Sequence, residues 1–105
     1  LLQVQGNVNS DTLLIGWGST EGHLHAAANE LDCALAHFNY INPLPKNTEE
    51  VLSKYKRLIV CELNSGQFAG YLRSKFEGLH FEQYNEMTAQ PFAVDRIVNF
   101  VNNNL

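Results

Sequence analysis

The run Thr12-Leu13-Leu14-Ile15 is apolar at consecutive positions and then breaks into Gly16-Trp17-Gly18-Ser19-Thr20-Glu21-Gly22. A strand that is apolar on both faces has to be covered on both, the situation of a parallel sheet flanked by helices. The break turns that strand sharply into a helix. Gly16 and Gly18 stand where backbone must bend or approach something closely. Ser19 or Thr20 is placed to cap the helix, and Glu21 sets negative charge at its positive end. A second run of the same kind, Arg57 to Leu63 (RLIVCEL), ends in Asn64-Ser65-Gly66-Gln67. The two runs are expected to lie centrally and side by side.

The rest of the chain fills in around them. Leu2 to Gly6 alternates weakly, as a short edge strand would, and Asn7 to Asp11 is a polar turn. Leu24, Ala27, Ala28, Leu31 and Leu35 fall at helical spacing and predict a helix over Glu21 to Leu35. A strand over His37 to Ile41 follows, until Asn42-Pro43-Leu44-Pro45 stops regular pairing. Asn47-Thr48-Glu49-Glu50 has the form of a capping box, with Asn47 as cap and Glu50 reaching back, for a helix over Thr48 to Tyr55. Phe68, Ala69, Leu72 and Phe76 share one face of a third helix. His80 to Asn85 alternates as a strand near an edge does, and Val94, Ile97, Val98 and Val101 point inward from a last helix that begins near Pro91 and frays over Asn102 to Asn104. This strand–helix alternation predicts a mostly parallel sheet with helices on both faces and right-handed crossovers. If the strand after the first long helix lies on the far side of Thr12–Ile15 from Arg57–Leu63, a topological switch point brings the Gly16–Gly22 and Glu62–Gln67 corners together.

With 105 residues and 45% hydrophobic composition, residues 1–105 read as one domain with one core. A net charge of -4 with scattered Lys and Arg excludes nucleic acid as a partner, because phosphate binding needs a basic stripe. No apolar run approaches the roughly 20 residues that span a bilayer. Leu1-Leu2 does not open a signal peptide, and the absence of an initiating Met suggests a domain excised from a larger subunit. Cys33 and Cys61 form no CxxC and fall on different elements, which reads as free buried thiols in a reducing cytoplasm.

Chemistry has few places to concentrate. The glycine corner is not a dinucleotide fingerprint: its third glycine comes one residue late, no acid closes the next strand, and Trp17 and Glu21 both oppose a pyrophosphate. Glu62 is a lone carboxylate at a strand end, more suited to accepting hydrogen bonds from a helix N-terminus than to acting as a general base. His23 and His25, two apart on a helix, point to different faces, and His37 and His80 have no ligand partners at metal spacing. Ser19 lies outside a nucleophile elbow. No catalytic residue and no metal site is therefore expected; the candidate residues are those of the two corners, as structural or interface loops. Phe68, Tyr71, Phe76, Phe81, Tyr84 and Phe92 read as core, with a few left for a docking patch.

Taken together and in order, Gly16, Trp17, Gly18, Ser19, Thr20 and Gly22, followed by Glu62, Asn64, Gly66 and Gln67, resemble the C-terminal domain of the alpha subunit of 2-oxoacid:ferredoxin oxidoreductases, especially the 2-oxoglutarate synthase type. Val4-Gln5-Gly6 and Gln90-Pro91-Phe92 fit the same pattern, so the resemblance covers nearly the whole chain. It implies a transketolase C-terminal-like α/β/α domain with one antiparallel edge strand, at Val4-Gln5-Gly6. It further implies a complete enzyme that decarboxylates a 2-oxoacid on thiamine diphosphate and Mg, reduces ferredoxin through an iron–sulfur cluster, and forms an acyl-CoA from coenzyme A. The family's cofactor sites lie in other domains or in the beta subunit, so this domain is expected to bind none of them and to be inactive alone. Its expected partners are the upstream thiamine-enzyme domain and the beta subunit. Two alternatives stand beside this: the equivalent domain of another thiamine enzyme, transketolase-like or a 2-oxoacid dehydrogenase, and a free-standing nucleotide-binding module.

Overall fold

Leu13, Leu14 and Ile15 have no exposed surface, and successive residues serve opposite sides of one sheet. The computed structural model describes residues 1–18, 21–39, 43–63, 67–86 and 94–103. The elements are β1 (Val4–Gly6), β2 (Thr12–Trp17), α1 (Glu21–Leu31), β3 (Ala34–Phe38), α2 (Thr48–Leu52), β4 (Arg57–Leu63), α3 (Gln67–Lys75), β5 (Phe81–Glu86) and α4 (Val94–Asn103). The five strands form one sheet in the order β1-β3-β2-β4-β5, parallel throughout except for β1, which runs antiparallel to β3 at the edge. The expected centre holds: β2 lies between β3 and β4, with Leu14 opposite Leu35 on one side and Ile59 on the other.

The pleat sorts the apolar residues into two cores. Leu13, Ile15, Ala36, Phe38, Leu58 and Val60 meet Val51 and Leu52 of α2 and Phe68, Ala69 and Leu72 of α3. Leu14, Leu35, Ile59 and Cys61 meet Leu24, Ala27 and Ala28 of α1 and Ile97, Val98 and Val101 of α4. The result is a three-layer α/β/α sandwich. Its free cysteines, Cys33 and Cys61, are both buried.

Several boundaries differ from the sequence expectation, each for a local reason. Helix α1 stops at Leu31 rather than Leu35. Asp32 takes a left-handed conformation (φ 54), the Cys33 N–H reaches back to the Ala28 carbonyl and the Asp32 N–H to that of Asn29, a Schellman turn built without glycine. Leu35 keeps the apolar rhythm because it belongs to the same core from the next strand. That strand accordingly begins at Ala34, three residues earlier than His37. Asn47 stands at the N-cap position and its carbonyl accepts the Val51 N–H, but its side chain makes no bond to the helix, which ends at Leu52 rather than Tyr55. Glu50 pairs instead with Lys54 across 4.0 Å of exposed surface. Asn102 and Asn103 remain helical in α4. Ile41, Pro91 and Asn104 lie outside the described residues.

The amino ends of the strands are tied down. Arg57 forks onto Glu82 of β5 at 2.6 and 2.9 Å and also donates to the Val101 carbonyl near the C-terminus of α4 at 2.9 Å. The Lys56 and Arg57 N–H groups donate to the Asp11 carbonyl, and the Tyr55 hydroxyl to that of Val8. The carboxyl ends of β2 and β4 carry the two candidate corners.

Candidate functional site

The switch point forms between β2 and β4, since β2 is followed by α1 and β3 on one side, while α3 after β4 packs on the opposite face. In α/β sheets this crevice at the carboxyl ends is where ligands and partners gather. Here the two corners meet through aromatic rings. Trp17, the last residue of β2, packs on Phe68 in the first turn of α3 with centroids 5.8 Å apart, and Phe68 meets Phe38 of β3 edge-on at 5.2 Å. The series runs from core to surface, for Phe68 and Phe38 are buried and Trp17 is 38% exposed.

Glu62 sits beneath this contact, 3% exposed. Its two oxygens accept the backbone N–H groups of Phe68 at 2.8 Å and Ala69 at 2.9 Å. The carboxylate thus satisfies donors that α3 cannot use internally and neutralises the positive end of its dipole. A phosphate at this helix would need those same N–H groups. Glu62 therefore occupies the anion position with a side chain of its own.

On the other flank, Gly18 has φ 74 and its carbonyl lies 2.9 Å from His37 Nε2 at the end of β3. A carbonyl only accepts, so Nε2 carries the proton. Nδ1 is buried and has no hydrogen-bond partner among the described residues. Gly16 pairs with His37 across the β2–β3 ladder, so the backbone of His37 lies beside Gly16 while its imidazole holds the carbonyl of Gly18. The sequence reading asks of His37 only whether it could hold a metal, and the brace depends on the β2–β3 register, which the sequence does not display.

Of the candidate residues, Gly16, Trp17, Gly18 and Glu62 are thus gathered at one rim, with Gln67 opening α3 beside them. Gly22 lies on the first turn of α1, exposed, with open space around it. Ser19, Thr20, Asn64 and Gly66 lie outside the described residues. Among the described residues, no three of His, Cys, Asp and Glu are grouped to hold a metal ion, and no helix is long and apolar enough to cross a membrane.

No protein-family model matches the chain. In sequence it is 35% identical over 98 residues, 89% of its length, to the 2-oxoglutarate oxidoreductase subunit KorA of Mycobacterium tuberculosis, and it spans only 15% of that relative. In structure it matches, with a TM-score of 0.83 and 23% sequence identity, a chain of the 2-oxoglutarate:ferredoxin oxidoreductase from Magnetococcus marinus, solved with 2-oxoglutarate, coenzyme A and succinyl-CoA bound. That match covers 98% of this chain and 19% of the other, and it shows that the α/β architecture recurs as one part of a much larger subunit.

Proposed function

We propose that this chain, a homologue of one segment of a 2-oxoglutarate oxidoreductase subunit, is the C-terminal assembly domain of the alpha subunit of a 2-oxoglutarate:ferredoxin oxidoreductase. The observation that carries the reading is the identity to KorA, which runs over nearly the whole chain. The complete enzyme would decarboxylate its 2-oxoacid with thiamine diphosphate and Mg, pass electrons through an iron–sulfur cluster to ferredoxin, and form the acyl-CoA. Two features support reading the thiamine and cluster sites as lying elsewhere. Glu62 fills the N-terminus of α3, where a pyrophosphate would otherwise be held. A cluster draws on four thiolates, whereas this chain has two cysteines, both buried. The buried free thiols accord with a reducing cytoplasm.

The domain's own work is then docking. The rim of Trp17, Gly18 and Gln67 faces the upstream thiamine-enzyme domain and the beta subunit, and Ser19, Thr20, Asn64 and Gly66 are assigned to the same interface by the family resemblance. A partly exposed tryptophan braced by a buried phenylalanine is the kind of rigid anchor that dominates interface energy. The test is co-expression of the full-length subunit with its beta partner. Removing residues 1–105, or substituting Trp17→Ala, should abolish or weaken co-purification and lower 2-oxoglutarate- and coenzyme A-dependent reduction of ferredoxin. A truncated subunit that assembles and turns over at the wild-type rate would sink the proposal.

A further inference from the structure

The segment Gly16–Gly18 is held from both faces of the sheet. Trp17 turns its ring to the α3 side and packs on Phe68 with centroids 5.8 Å apart. His37 stands two residues along β3 from Leu35 and so shares the α1 side with it. From there Nε2 donates to the Gly18 carbonyl at 2.9 Å, across 19 positions of sequence. Packing gives Gly18 no such hold: it is exposed at φ 74, and a Cβ built on it would meet nothing within 4 Å.

This hydrogen bond comes at a cost to the fold. The other ring nitrogen, Nδ1, is buried and has no partner among the described residues. With the proton on Nε2, Nδ1 is an acceptor, and a buried acceptor left unpaired lowers stability. Stability alone would favour an apolar ring at this half-buried position. Histidine keeps the one thing an apolar ring lacks, a donor aimed at Gly18.

We infer that His37 is a positioning residue of the docking rim: through the Gly18 carbonyl it fixes the turn that presents Trp17, so that the ring meets its partner already ordered. The inference rests on the reading of the Trp17 rim as a docking surface. Affinity gained in this way comes from ordering that no longer has to be done on binding. Freeing the turn should therefore weaken association without weakening the fold, a separation that a residue serving stability alone cannot produce.

The experiment uses the full-length subunit and its beta partner. His37→Phe keeps a flat ring and removes both the donor and the orphaned acceptor. His37→Gln restores an amide N–H the same number of bonds from the backbone as Nε2. In the free subunit, hydrogen exchange over Gly16–Gly18 should speed about tenfold in His37→Phe, the effect of one modest hydrogen bond, while Leu13–Ile15 keep their protection. Association with the beta subunit should weaken about tenfold as well, with Tm no lower than wild type. His37→Gln should return both exchange and association towards wild type.

Exchange over Gly16–Gly18 that stays at the wild-type rate in His37→Phe would overturn the inference. So would a faster turn that leaves association unchanged, a Tm that falls in step with association, or His37→Gln no better than His37→Phe. The docking reading fails on a different variant. Trp17→Ala that associates as well as wild type removes the rim as an interface, and the part of His37 in docking with it. Association lost in Trp17→Ala but kept in His37→Phe sinks the role of His37 alone.

Discussion

The Glu62 carboxylate accepts the Phe68 N–H at 2.8 Å, and with it the N–H of Ala69, so a strand end and a helix start are joined by a buried charge. Removing it in Glu62→Ala strands two buried donors and should lower stability by about 2–4 kcal/mol. Glu62→Gln keeps one acceptor oxygen and should cost about half as much. Urea unfolding of the variants reads both values. A Glu62→Gln chain as stable as wild type would show that the charge is not there for the helix.

Arg57 is the counterpart at the other end of the sheet. Its guanidinium engages Glu82 in a fork and the Val101 carbonyl with its remaining nitrogen, with side chains only 14% and 24% exposed. Lysine supplies charge but not that planar set of donors. Arg57→Lys should therefore destabilise by about 1–3 kcal/mol, and a double-mutant cycle with Glu82→Gln should return a coupling energy of at least about 1 kcal/mol. Coupling near zero would mean that the pair is only adjacent.

Three glycines should rank in a definite order. A Cβ on Gly6 would stand 2.5 Å from the Cys33 carbonyl oxygen at φ 74, against backbone that cannot give way. Gly18 has the same φ but open space, so Gly18→Ala carries only the conformational cost of about 1–2 kcal/mol and Gly6→Ala clearly more. Gly70, inside α3 with open space around it, should stabilise the helix by about 0.5–1 kcal/mol when replaced by alanine. Thermal unfolding of the three variants gives the ranking, and Gly6→Ala as mild as Gly18→Ala would refute it.

The buried thiols set an alkaline limit. Burial, with the charge of Asp32 behind it, pushes Cys33 up to about 11 from 9.0, and burial raises Cys61 as well. Between those values the folded chain keeps protons that the unfolded chain has lost, so stability is full below pH 9.0 and falls as pH rises towards about 11. The urea midpoint of Cys33→Ala should fall less steeply over that window than that of the wild type. Asp32→Gly, which relieves the left-handed residue, should gain about 0.5–1 kcal/mol and bring the Cys33 thiol partly back down. Parallel slopes for Cys33→Ala and wild type would remove the thiol from the account.

Strand identity was legible wherever burial on both sides forced consecutive apolar residues, and β4 runs over the expected Arg57–Leu63. That β2 and β4 are central neighbours followed from it, whereas the residues leave the side of β3 open and the antiparallel edge at Val4–Gly6 rests on the family resemblance. What misled was rhythm that crosses an element boundary: Leu35 continues the stripe of α1 while sitting on β3, because both faces of the turn at Asp32 feed one core. Capping grammar misled too. The pattern at Asn47 is genuine, yet the side chain serves Leu2, a partner 45 positions away that no local reading can see. At the rim, the accepting role of Glu62 was readable from a lone carboxylate at a strand end. The brace from His37 to Gly18 spans 19 positions and depends on ladder register, which a sequence does not display.

The single reversed strand has a consequence for how such a domain is added to a larger chain. Because β1 runs antiparallel to β3, the polypeptide enters at the same end of the sheet as the two corners, while the α4 C-terminus is fastened at the opposite end by Arg57. Val4 and the Trp17–Phe68 rim therefore share one side of the molecule, and the Arg57 fork lies on the other. Substitutions on the first side therefore leave the Arg57 fork to Glu82 and Val101 untouched.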